Sequence, residues 1–177
     1  MQKIAIIGAH GVGKTELCGK LLRYCKCHNK RSELVKEVVR TCPFPIHEKQ
    51  SIETTLWIIC TQIALELEAE KKHPDFVVCD RSILDPIVYL LSANQNEVNQ
   101  DVVEFAEKYS KSYDKLYLVK PSNSIMTEDG FRNTDPEFQY SIHAIFTQWL
   151  VGRCQIIDQN EIFNDVDDNL CKRILGG

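Results

Sequence analysis

A chain of 177 residues has room for one domain with a proper core and none for a multi-domain motor. Its formal net charge of −4 and pI near 5.7 offer no broad attraction to a phosphate backbone, so a nucleic-acid partner would need a local basic patch. No apolar run approaches the roughly eighteen residues that span a bilayer, which predicts a protein with no membrane-spanning segment.

The first predicted element is a buried strand, Ile4–Ile7. It runs into Gly8-Ala9-His10-Gly11-Val12-Gly13-Lys14-Thr15, which fits the phosphate-loop pattern G-x-x-x-x-G-K-[ST] in the strand-to-helix context that the pattern requires. Backbone N–H groups of such a loop wrap phosphates, and the helix opening at Lys14 turns its positive dipole end toward them. Lys14 is therefore expected to reach the β- and γ-phosphates of a nucleoside triphosphate, and Thr15 to offer its hydroxyl to Mg²⁺. Gly8, His10, Gly11, Val12, Gly13, Lys14, Thr15 and Glu16 form the expected ATP-binding set, with no catalytic role for His10.

A helix over Lys14–His28 ends in Arg23, Lys26, Lys30 and Arg31, which read as a solvated helix end with cations at its negative pole. Eight cysteines might suggest a disulfide framework, but the first residues run straight into the strand and leave no room for a signal peptide, so a reducing, cytoplasmic location is expected. Cys18, Cys60 and Cys79 lie in apolar contexts and are expected in the core. Cys25-Lys26-Cys27-His28 has no second ligand pair at zinc spacing.

The second strand, predicted over Leu34–Val38, carries Glu37 and Arg40 at its end, where an acceptor would be positioned. Glu37 is a candidate general base, and Arg40 a candidate contact for an acceptor phosphate or hydroxyl; a surface ion pair is the competing reading. The long helix Glu53–Lys72 follows. Its Trp57 and Thr61 share one face, with Gln62 beside them. These suit a ring-shaped substrate, although a Trp among Leu56, Ile58, Ile59 and Ile63 is more often core.

Asp80 ends the strand Phe76–Cys79. It is expected at the mouth of the phosphate loop, to hold Mg²⁺ or take the acceptor's proton, with Arg81 beside it on substrate; a helix cap is the alternative. Asp85 and Tyr89, on the helix Ile83–Ser92, are either substrate contacts or structural. A helix Val98–Ser110 and a strand Leu116–Val119 come next. The polar stretch Ser122 to Asp135 then reads as a lid over residues 122–136, whose turn Asp129-Gly130-Phe131-Arg132 would project Arg132 toward the transferring phosphoryl group. A helix Pro136–Val151, a strand Cys154–Ile157 and a tail helix near Asp167–Leu175 complete the alternation. Five strands interleaved with helices predict an α/β fold: a parallel sheet covered on both faces, a three-layer sandwich in one domain over residues 1–177.

With the P-loop, Glu37-Val38-Val39-Arg40, Trp57 with Gln62, Asp80-Arg81-Ser82-Ile83-Leu84-Asp85, and Tyr113-Asp114 leading to Asp129-Gly130-Phe131-Arg132 in this order, the chain resembles the P-loop small-molecule kinases and ATPases. That group includes the kinase domain of bacterial nicotinamide riboside kinase and regulator proteins. More distantly, it is similar to deoxynucleoside and thymidylate kinases, whose acidic-Arg pair after the third strand looks like Asp80-Arg81. The resemblance implies a Rossmann-like P-loop NTPase sheet of order 2-3-1-4-5, Mg-ATP as donor, and γ-phosphoryl transfer to a small nucleoside-like or nucleotide-like acceptor. Relatives often carry two or more lid arginines, whereas Lys120 to Gln148 contains only Arg132. A regulatory ATPase acting on a protein partner and a 5′-hydroxyl polynucleotide kinase are the competing readings, the second opposed by the acidic balance. Asn29-Lys30-Arg31-Ser32 lacks the acid of a guanine-reading N-K-x-D motif. A homodimer stays open.

Overall fold

The structure is a computed structural model and describes residues 1–93, 99–121, 135–150, 156–158 and 168–175. Five strands, β1 (Gln2–Ile7), β2 (Ser32–Val35), β3 (Phe76–Asp80), β4 (Lys115–Leu118) and β5 (Ile156–Asp158), form one sheet of order β2-β3-β1-β4-β5. Every neighbouring pair is parallel, as the strand–helix alternation requires. The predicted strand order is therefore the observed one.

Six helices connect and flank these strands among the described residues: α1 (Lys14–Cys27), α2 (Ile52–Glu70), α3 (Leu84–Ala93), α4 (Gln100–Ser110), α5 (Pro136–Ile145) and α6 (Asp168–Leu175). The path from β1 to β2 steps across the sheet in one direction and every later crossover steps in the other. Right-handed crossovers consequently put α1 on one face and α2 to α5 on the opposite face. The packing agrees, since α1 touches α6 while α3 touches α2, α4 and α5.

β1 lies at the centre with both faces covered, which is why Ile4, Ala5, Ile6 and Ile7 form an unbroken apolar run with no solvent exposure. Leu17 and Leu21 of α1 pack there from one side, and Ile83, Leu84 and Ile87 from the other. Among the described residues no helix is long and apolar enough to cross a membrane.

Several boundaries differ from expectation. β2 ends at Val35, and the chain leaves the sheet to make a 3₁₀ turn over Val39–Thr41. Glu37 and Arg40 thus stand beyond the strand, on a loop that folds over the sheet's C-terminal edge. β3 gains Asp80 as its last residue, paired in register with Ile6. The helix expected over Pro136–Val151 is α-helical to Ile145 and continues as a π-helical turn, Phe146–Leu150, that buries Phe146 and Leu150. Cys18 and Cys79 are buried as expected, but Cys60 is exposed, because it lies on the face of α2 turned away from the sheet. Cys25 is buried and Cys27 exposed, so these thiols point to different environments. The lid segment, with Asp129, Gly130, Phe131 and Arg132, lies outside the described residues.

Candidate functional site

The carboxyl end of β1 opens into the phosphate loop through three glycines with positive φ: Gly8 at 139°, Gly11 at 72° and Gly13 at 87°. A Cβ on Gly8 would sit 2.7 Å from the backbone oxygen of Val119, which follows the adjacent strand, so this position is closed to a side chain by contact as well as by φ. The loop wraps the side chain of its own lysine. Lys14 Nζ donates to Gly8 O at 2.9 Å and to Ala9 O at 2.6 Å. Burial, then the nearby Arg81 charge, lowers the Lys14 ammonium to about 8.

Across the loop mouth stands Asp80. Its Oδ2 accepts a 2.6 Å hydrogen bond from Thr15 Oγ1, joining the first turn of α1 to the end of β3. Asp80 Oδ1 is buried and has no hydrogen-bond partner among the described residues. A buried carboxylate oxygen left without a donor favours an external cation.

After Asp80 the chain turns sharply. Arg81 takes φ 87°, a left-handed conformation unusual for a residue with a Cβ, while its N–H still donates to Ile6 O at 3.0 Å. This turn sends the guanidinium back over the strand ends. There Nε donates to Glu37 Oε1 at 2.6 Å, and NH1 donates to Asp85 Oδ1 at 3.2 Å and approaches Gly8 O at 3.5 Å. The Tyr89 ring lies 5.7 Å from the guanidinium carbon. Burial opposes the charge on Arg81, yet Glu37 and Asp85 hold its pKa above the usual value. Burial also opposes ionisation of Glu37, but Arg81 and Lys14 outweigh it and hold this carboxyl at about 2. Arg40 adds a 2.8 Å bond from its Nε to Glu37 Oε2.

A cleft open at its mouth adjoins this cluster. Val38, Val39, Ile58, Pro86 and Tyr89 give it apolar walls, and Gln50, Gln62, Arg81 and Asp85 give it polar ones. A smaller hollow between His10, Glu37, Arg40, His47 and Arg81 leads from it toward the phosphate loop.

Residues 3–160 match the AAA domain family. The chain belongs to the AAA domain family. A comparison with curated protein sequences returned no match. Among solved structures, this AAA domain is similar to deoxyadenosine kinase from M. mycoides with bound dATP, with 18% identity over 96% of this chain and 95% of that one at a TM-score of 0.61. It is similar to thymidylate kinase from Ehrlichia chaffeensis, with 21% identity over 96% and 94% at 0.60. A third likeness is to NadR protein in complex with NR, with 16% identity over 98% of this chain and 49% of that one at 0.61. The AAA domain thus spans about half of that third chain, and at these identities the likeness is one of fold.

Within the AAA domain, Lys14, Thr15, Asp80, Arg81, Glu37 and Arg40, which are dispersed in sequence, converge on one edge of the sheet. Gln62 also faces the cleft, but its amide is engaged: Nε2 donates to Glu66 Oε1 at 2.9 Å and to Arg81 O at 3.4 Å. Trp57 is half-buried on α2 and is not part of the cleft wall, where α2 contributes Ile58 and Gln62. One residue's rotation on the helix separates Trp57 from that wall. Glu16 is exposed and pairs with Lys20 at 2.9 Å along α1.

Asp85 and Tyr89 line the cleft and also hold the site's elements together. Asp85 Oδ2 accepts from Ser82 N at 2.8 Å and from Ser82 Oγ at 3.1 Å, and Leu84 N donates to Ser82 Oγ at 3.1 Å. This is the reciprocal cap that the spacing Ser82-x-x-Asp85 encodes. It fixes the start of α3 under Arg81. Burial raises the Asp85 pKa against the pull of Arg81. Tyr89 Oη accepts from His10 N at 2.9 Å, and Gln139 Nε2 donates to His10 O at 2.7 Å, so α3 and α5 clamp the phosphate loop at His10. His47, Gln50 and Gln139 carried no local signal in the sequence.

Proposed function

We propose that this AAA domain transfers the γ-phosphoryl group of Mg-ATP to a hydroxyl of a small nucleoside-like acceptor. The observation that carries the reading is the Arg81–Glu37 pair, set between a phosphate loop and a mostly apolar cleft open at its mouth. A switch protein would need the loop but not the cleft. The kinase names of the similar structures, which act on nucleosides or nucleotides, support the same class of acceptor.

Thr15 Oγ1 and Asp80 Oδ1, which has no partner among the described residues, fit Mg²⁺, which prefers hard oxygen donors. When bound, Mg²⁺ supplies charge neutralisation and alignment of the phosphates. Lys14 exchanges its two loop carbonyls for phosphate oxygens. Asp80 would hold the metal, which leaves Glu37 to face the acceptor. Its carboxylate accepts the acceptor hydroxyl's hydrogen bond and orients the oxygen toward the phosphorus. A pKa near 2 makes Glu37 a weak base, which suffices for a loose transition state that asks little proton removal early on. Arg81 holds positive charge between acceptor and phosphoryl group. In this reading Arg40 steadies Glu37, and Arg132 is a contact for the transferring phosphoryl group.

The test is Mg-ATP turnover with mass-spectrometric product identification, offering nicotinamide riboside, nucleosides, nucleoside monophosphates and a 5′-hydroxyl oligonucleotide, with Lys14→Ala as control. A phosphorylated nucleoside-like product that disappears in the control is the expected result. ATP hydrolysis with no phosphorylated acceptor would replace the kinase by a regulatory ATPase. Phosphorylation of the oligonucleotide alone would replace it by a polynucleotide kinase.

A further inference from the structure

Gln50 lines the cleft between the 3₁₀ turn His47–Lys49 and the Ser51 cap of α2, buried to 2% exposure, and the reaction proposed above gives it no part. Its amide has one orientation open to it. Nε2 donates to Pro86 O at 2.6 Å and to Thr55 Oγ1 at 2.9 Å. Pro86 O can only accept, and Thr55 spends its single hydroxyl proton on Ser51 O at 3.0 Å, so a flipped amide would set oxygen against oxygen at both contacts. Both amide hydrogens of Gln50 are thus consumed by the protein. What the side chain keeps for the cleft is its carbonyl oxygen, which has no hydrogen bond among the described residues.

Gln62, 1% exposed, repeats the arrangement. Its Nε2 donates to Glu66 Oε1, which also accepts from Tyr113 Oη at 2.6 Å, and to Arg81 O, so its carbonyl too is left over. Two neutral acceptors with locked orientations therefore sit among the apolar walls of Val38, Val39, Ile58, Pro86 and Tyr89, which suit a flat ring. Once a ring fills the cleft, each oxygen loses its access to water and must be met by a donor or left unsatisfied. We propose that Gln50, together with Gln62, makes the cleft selective for an acceptor whose ring carries an amino or carboxamide group over one that carries an oxo or carboxylate group in its place. An exocyclic NH₂ brings two hydrogens and a nitrogen whose lone pair is drawn into the ring or carbonyl. An oxygen in that position brings lone pairs toward the glutamine oxygens, and the one ring N–H that accompanies it in uracil or hypoxanthine stands next to such an oxygen. The inference rests on the cleft being the acceptor site of the proposed reaction.

Isothermal titration of the wild-type chain with adenosine and inosine, cytidine and uridine, and nicotinamide riboside and its nicotinic acid counterpart reads the preference directly. In the pair that binds most tightly, the amino or carboxamide member should bind at least roughly ten-fold better. Gln50→Leu should weaken that member far more than its partner, so that the ratio falls toward one, whereas a merely structural Gln50 would weaken both alike. Circular dichroism checks the fold of the variant, and if Gln50→Leu does not fold, the wild-type ratio decides alone. Equal or reversed affinities within the tightest pair overturn the proposal, as do equal weakening of both members by a folded Gln50→Leu and the failure of all six compounds to bind. A preference without product in the turnover test removes the kinase reading and keeps the selectivity; product without preference does the reverse.

Discussion

Thr15 Oγ1 and Asp80 Oδ2 lie 2.6 Å apart, although 65 residues separate them. The bond ties the helix that opens the phosphate loop to the last residue of the neighbouring strand, and among the described residues Asp80 Oδ1 is buried without a donor. Asp80→Asn should therefore abolish the tightening of ATP binding by Mg²⁺ while leaving metal-free binding close to wild type. Isothermal titration with Mg²⁺ or with EDTA reads this directly, and a loss on the order of 10- to 100-fold in the presence of metal is expected. Equal Mg²⁺ dependence in the variant would take Asp80 out of the metal site.

Lys14 gives the protein a pH dependence of defined sign. Its folded-state pKa is about 8, against 10.5 for the free side chain, because burial and then Arg81 disfavour the charge. Between these values the unfolded chain holds a proton that the folded chain has released, so the Lys14 contribution to stability rises with pH across that window. The urea stability of the ligand-free protein, relative to Lys14→Met, should increase by on the order of 1–3 kcal/mol between pH 8 and 10. A flat or falling difference would contradict the burial of the ammonium.

The loop glycines are not equivalent. Gly8→Ala would meet Val119 O at 2.7 Å in addition to a φ of 139°, whereas Gly13 at 87° has open space around its missing Cβ. Gly13→Ala should cost roughly 1–2 kcal/mol, the left-handed penalty alone. Gly8→Ala should cost clearly more, because backbone rather than a flexible side chain must move. Chemical denaturation of the two variants ranks them, and the opposite order would refute the contact argument.

Glu66 holds the underside of the site. Its buried carboxylate accepts from Lys3 at 3.1 Å, Gln62 at 2.9 Å, Tyr109 at 3.2 Å and Tyr113 at 2.6 Å, and burial with the Glu66 charge pushes the Tyr109 phenol up to about 12. Gln62 in turn binds Arg81 O, and Tyr113 Oη accepts from Ile83 N at 3.3 Å, so the network reaches both sides of the Arg81 turn. Glu66→Ala should cost about 3–5 kcal/mol, as should removal of Lys3 alone, and the Lys3→Met/Glu66→Leu double variant less than their sum. In urea denaturation, additive losses would mean that the two charges do not act as a pair.

The phosphate loop, the alternation of strands and helices, and the strand order expected from the resemblance could all be read from the chain. The loop and the alternation rest on local pattern, glycines where φ must be positive and an apolar run where a strand is buried on both faces, whereas the strand order rests on the resemblance alone. Residue type at Lys14, Thr15 and Asp80 also fixed which chemistry those positions can support, since a cation, a hydroxyl and a carboxylate at these element ends leave few alternatives. Sequence periodicity did not decide the direction of Trp57, because α2 is apolar on both sides and only packing against the sheet selects which side is inner. Nor did it decide that Glu37 leaves β2 to meet Arg81, that Gln62 is engaged by Glu66 and Arg81, or that Tyr89 and Gln139 clamp His10. Those relations join residues far apart in the chain, and their distances exist only once the crossovers have brought the strand ends to a common edge.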